Sequence, residues 1–187
     1  MGWYGTNGAT RESVIAELTK SEEWTRDDGV TVTRKALAKS ARGRALYVVH
    51  EQALSTGKVD RFIGVYLLGN MGDGYYGYKP MDESMGPCEV GCPLKFLDMV
   101  PDPGGFATGW RERVRTHHVE KNERARIARS LKFSAKPGDV LVLNANVRQG
   151  SRAVVTGRDA HGRILANIGG TVYRIPPKHV ERVEISS

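Results

Sequence analysis

Val14, Ile15 and Leu18 recur at helical spacing behind Thr10, whose hydroxyl can accept a free amide of a first turn. That pattern predicts a helix from Thr10 to about Lys20. Between residues 30 and 71 the period shortens, and VTVTRKALAKSA, ALYVVHEQAL and VDRFIGVYLLGNM form three runs rich in Val, Ile, Tyr and Phe. Glycine-centred turns at Gly43 and Gly57 separate them, which predicts an antiparallel meander with the first helix covering one face. Leu94, Phe96, Leu97 and Val100 suggest a short helix that stops at Pro101, and PDPGG then breaks the chain. From Trp110 to about Leu131, few breakers and high helix propensity predict one long helix. Its apolar stripe is thin, made of Trp110, Val114, Ile127 and Leu131 with alanines between, so the helix is largely exposed or covered by something other than this chain.

Past Phe133 short apolar runs alternate with turn signals at Pro137-Gly138-Asp139, Gln149-Gly150, His161-Gly162 and Gly169-Gly170, and a last strand follows Pro177. Short strands at that spacing fit a small barrel. The layout resembles SH3-like barrels, including the KOW-type modules of ribosomal and transcription proteins, with Gly150 and Gly157 near the turns of such modules. The expected fold is therefore α+β. Residues 1–133 form a meander with covering helices, and residues 134–187 form a small SH3-like β-barrel.

Composition narrows the partners. The 187 residues carry 28 Lys and Arg against 21 Asp and Glu, a net charge of +7, which favours polyanionic or acidic partners. No apolar run approaches the ~20 residues that cross a bilayer, so no membrane partner and a cytoplasmic location are expected. Two cysteines cannot supply a disulfide framework.

Residues 72–93, GDGYYGYKPMDESMGPCEVGCP, are rich in glycine and proline and predict a long functional loop. Asp82 and Glu83 are its acid and base candidates, since burial there could raise a carboxyl pKa. The competing reading makes Asp82 a cap that accepts an amide from Ser84 or Met85 and leaves Glu83 solvated. Cys88 and Cys92, with His117 or His118, offer thiolate and imidazole to zinc. The spacing argues against it, because adjacent helical histidines point about 100° apart. No metal or other cofactor is expected. Tyr75, Tyr76 and Tyr78 beside Lys79 could stack a base, or could bury their rings at a sheet edge.

The long helix carries Arg111, Arg113, Arg115, Lys121, Arg124, Arg126, Arg129 and Lys132 against Glu112, Glu120 and Glu123. Such a helix could follow a phosphate backbone or pair its charges internally. Arg148, Arg152, Arg158, Arg163, Arg174 and Lys178 add positive charge in the barrel. Two basic elements in succession strengthen a nucleic-acid reading.

The residues Gly77-Tyr78-Lys79, Met81-Asp82-Glu83-Ser84-Met85-Gly86-Pro87, Cys92-Pro93, Leu97-Asp98 and Trp110-Arg111, with the opening GATRESVIAELT, resemble an uncharacterised domain family. Its members are small hypothetical proteins of bacteriophages and integrated mobile elements. The resemblance implies a genetic context and transfers no catalytic residue. The leading expectation is a non-enzymatic accessory protein of a phage or mobile element that binds nucleic acid through the helix and barrel. One alternative is a protein-binding inhibitor of a host defence or nuclease complex, and another is a small enzyme using Asp82 or Glu83.

Overall fold

The hydroxyl of Thr10 does cap the first helix, accepting the Ser13 amide at 3.1 Å, and helix α1 runs Arg11–Thr19. The computed structural model describes residues 4–6, 9–69, 76–144 and 151–185. They divide into two compact units, Met1–His118 and Val119–Ser187, whose boundary falls inside the long helix.

The first unit is built on a six-stranded antiparallel sheet in the order β1-β6-β5-β4-β3-β2. Its strands are β1 (Tyr4–Thr6), β2 (Glu22–Thr25), β3 (Thr31–Arg42), β4 (Ala45–Leu54), β5 (Val59–Leu68) and β6 (Tyr76–Asp82). The three predicted runs are β3, β4 and β5, turned at Gly43 and Gly57, whose φ of 55° and 90° lie where only glycine is relaxed. A bulge between Ala36 and Ala38 switches the faces of β3, so Ala36 packs toward α1 and Ala38 toward the opposite side.

Both faces of this sheet are covered, and β4 accordingly buries six successive residues, 45–50. On one face, α1 lays Val14 over Leu46, Val48, Tyr66 and Leu68. On the other, Tyr47, Val49, Ile63 and Val65 meet Phe96 and Leu97 of α2 (Leu94–Asp98) and Trp110 and Val114 of α3 (Phe106–Ser134). Trp110 is fully buried and donates its indole N–H to the Glu89 carbonyl at 2.8 Å.

Residues 72–93 are not a loop throughout. Tyr76–Asp82 form β6, which pairs with β5 from Gly64↔Asp82 to Leu68↔Tyr78 and with β1 through Tyr4↔Tyr78. Pro80 lies beyond the end of three-residue β1, on the stretch of β6 paired on one side only, where a residue without an N–H is tolerated. A 3₁₀ turn, Glu83–Met85, follows directly.

The second unit combines the later part of α3 with five strands, β7 (Val140–Leu143), β8 (Arg152–Arg158), β9 (Ile164–Ile168), β10 (Thr171–Arg174) and β11 (Val180–Glu184). Their antiparallel order is β10-β9-β8-β7-β11, so the last strand returns to pair with the first of the five in a barrel-like sheet. Alternation does the sorting: Ala153 and Val155 of β8 point inward while Arg152, Val154 and Thr156 stay exposed. The core joins Leu131 of α3 to Leu141, Leu143, Ile164, Ile175 and Val180. Arg158 donates to the Leu131 and Ala135 carbonyls at 3.0 and 3.1 Å, closing the carboxyl end of α3 with a cation. Among the described residues, no helix is long and apolar enough to cross a membrane.

Candidate nucleic-acid interface

Asp82 caps the 3₁₀ turn, its Oδ1 accepting the Ser84 amide at 3.0 Å. That places Glu83 inward, only 1% exposed rather than solvated. Its carboxylate meets Arg111, whose Nε donates to Oε2 at 2.7 Å. The remaining Arg111 donors are also spent, Nη1 on the Val100 carbonyl and Nη2 on the Pro101 carbonyl, each at 3.0 Å. Burial lifts the Glu83 carboxyl above its ordinary range against the pull of Arg111. The arrangement ties β6, α2 and α3 together and leaves Arg111 outside any basic surface.

The cysteines separate. Cys88 is exposed and Cys92 is buried, with its thiol pushed up to about 12 by desolvation. The His118 Nε2 lies 2.8 Å from the Cys92 carbonyl oxygen, and the rings of His117 and His118 are perpendicular. Among the described residues no three His, Cys, Asp or Glu side chains gather into a metal-binding group.

Of the tyrosines, Tyr75 lies outside the described residues, and Tyr76 is described as part of β6. Tyr78 is half-buried and packs against the cluster under α1, and Lys79 is half-buried beside it. Tyr78 thus joins the sheet's packing.

The helical cations sort by what they hold. Arg113 donates to the Pro87 carbonyl at 3.2 Å. Arg124 lies 3.7 Å from Glu120, and Arg126 pairs with Glu123 at 2.7 Å. Exposed pairs of this kind contribute about 0.2–1 kcal/mol, so a polyanion can compete for them. Arg115, Lys121 and Arg129 are exposed and make no ion pair with a described residue. Among the described residues, Arg129 donates only to its own helix, at the Ala125 carbonyl.

The charge is not spread over the chain. Through His118 there are 15 Lys and Arg and 15 Asp and Glu, whereas from Val119 onward 13 basic residues face 6 acidic ones, so the whole net +7 belongs to the second unit. On that unit β10 is an edge strand with all four residues exposed, Tyr173 by 49% and Val172 by 53%. Tyr173 lines a hollow of about 430 Å³ with Leu143, Ile175 and His179. A second hollow of about 460 Å³ is lined by His161, Arg163 and Ile164 and shares Arg174, Ile175 and Pro176 with the first. Arg174 lies 3.0 Å from Asp159, whose carboxyl is held below its usual range by the Arg163 and His161 amides. Arg163 makes no ion pair with a described residue.

Tyr173 and His179 were not among the sequence-predicted candidates. The signal lay in TVYR after Gly169-Gly170, an aromatic beside an arginine on a strand following a tight turn. Compared with protein-family models, curated proteins and solved structures, the chain matches none.

Proposed function

We propose that the protein binds nucleic acid without catalysing a reaction, through the unit that begins at Val119. It acts as an accessory protein of a phage or mobile element, a context that rests on the resemblance carried by residues 77–87. The observation that carries the binding reading is the partition of charge, zero in the larger unit and +7 in the smaller. A polyanion gains affinity from such a surface by releasing counterions, so the charge works best where it is concentrated. Lys121, Arg129 and Arg163, exposed and in no side-chain ion pair with a described residue, are its most available cations. Asp82 and Glu83 are engaged in a cap and a buried ion pair, which removes the support for an acid–base enzyme at that turn.

The test is a fluorescence anisotropy titration of DNA and RNA oligonucleotides against the protein at about 50 and about 200 mM salt. Binding that weakens steeply with salt supports the reading. Absence of binding at the lower salt overturns it and turns the search to a protein partner.

A further inference from the structure

Resting on the nucleic-acid reading, we infer that the β10 face takes single strands in preference to duplex, with unstacked bases entering the two hollows beside Arg174. A duplex presents phosphates on its outside and keeps its bases stacked within, so it offers no free base face to an apolar concavity. A single strand offers both a phosphate chain and free base faces, and sites for it combine cations with an aromatic platform. The β10 face has that combination. Tyr173, half exposed on the edge strand, borders a hollow floored by Leu143, Ile168 and Ile175. His179 lines the same hollow beside Ile175 and Pro176.

Across the shared wall of Arg174 and Pro176, the second hollow is apolar at Ala128 and Ile164 and basic at Arg163. Arg158 lines it too, but its guanidinium is occupied by the Leu131, Ala135 and Gly162 carbonyls, so it shapes the wall. Arg174, held beside Asp159, stands between the hollows and is the natural phosphate contact for a strand placing one base in each.

The experiment compares a fluorescein-labelled oligo-dT of about 12 nucleotides, an oligo-rU of the same length and a duplex of the same length at low salt. The proteins are the wild type, Tyr173→Ala, Tyr173→Phe and Arg163→Gln. Both single strands should bind tighter than the duplex. Tyr173→Ala should weaken them about tenfold or more and leave duplex affinity unchanged, while Tyr173→Phe, which keeps the ring, should bind as the wild type does. Equal or tighter duplex binding, or single-strand affinity indifferent to Tyr173→Ala, overturns the inference. If Arg163→Gln then still weakens every probe, the nucleic-acid reading survives that failure. No binding to any probe overturns both.

Discussion

Arg111 and Glu83 lie 28 residues apart in the chain and meet at 2.6 Å with their side chains 3% and 1% exposed. Arg111 also satisfies carbonyls of the α2–α3 connection, so the pair closes one side of the larger unit around its Trp110 and Phe96 core. Removing one partner strands the other in a dry interior, which costs far more than the pair itself contributes.

Arg111→Met should therefore destabilise the protein by about 3–5 kcal/mol in urea unfolding at neutral pH. The raised Glu83 carboxyl sets the sign of the pH effect: the native state holds its proton more tightly than the unfolded chain does, so stability rises as pH falls through the native pKa. Without Arg111 this effect grows, and the deficit of Arg111→Met should shrink between about pH 7 and pH 5. A deficit that stays constant would show that the missing hydrogen bonds to the carbonyls, not the stranded carboxylate, dominate.

His50 gives the opposite slope. It is buried with its Nε2 2.8 Å from the Tyr66 hydroxyl, and desolvation holds its pKa down at about 4. Below the ordinary histidine range the unfolded chain takes a proton that the native ring refuses. Stability therefore falls as pH drops from about 6.5 to about 4, by up to roughly 1.4 kcal/mol per pH unit. His50→Gln should flatten this stretch of the urea-midpoint profile, and an unchanged slope would assign it elsewhere.

The Asp82 cap separates structure from catalysis. Asp82→Ala should cost about 1 kcal/mol by loosening the turn that carries Glu83, whereas Asp82→Asn, which keeps an acceptor, should cost less. Neither change should alter oligonucleotide affinity, which a titration of both variants checks.

The thiols should differ in reactivity. Intact-mass analysis after treatment with a thiol-specific reagent at about pH 8 should show one adduct on the native protein, at exposed Cys88, and a second only after denaturation. Cys88→Ser should abolish the native adduct, and two rapid adducts on the wild type would contradict the burial of Cys92.

Local signals made α1, the three-strand meander and the two later helices legible in the sequence: a capping hydroxyl, β-rich runs between glycine turns, and prolines at helix ends. The strand β6 was not legible. Its residues alternate poorly and carry Pro80, and it is fixed by pairing with β5 and β1, a long-range choice that hides in a segment that otherwise reads as a loop. The burial of Glu83 was hidden for the same reason, since its partner Arg111 sits among charges that read as one exposed basic face. The charge excess could be counted from the start, but its confinement to one unit depends on a boundary inside a continuous helix, which no composition shift marks.

The most direct test of nucleic-acid binding by the smaller unit compares two sets of charge removal of equal size. Lys121→Gln, Arg129→Gln and Arg163→Gln together neutralise cations of the second unit, and Arg26→Gln, Lys39→Gln and Lys95→Gln neutralise exposed cations of the first. Affinity for a single-stranded oligonucleotide is then followed against salt. The first set should weaken binding strongly and make the slope of log affinity against log salt shallower by about 0.7 for each phosphate that the protein no longer neutralises, while the second set leaves both nearly unchanged. Equal losses of affinity from the two sets, or a slope that neither set alters, would contradict binding through the smaller unit.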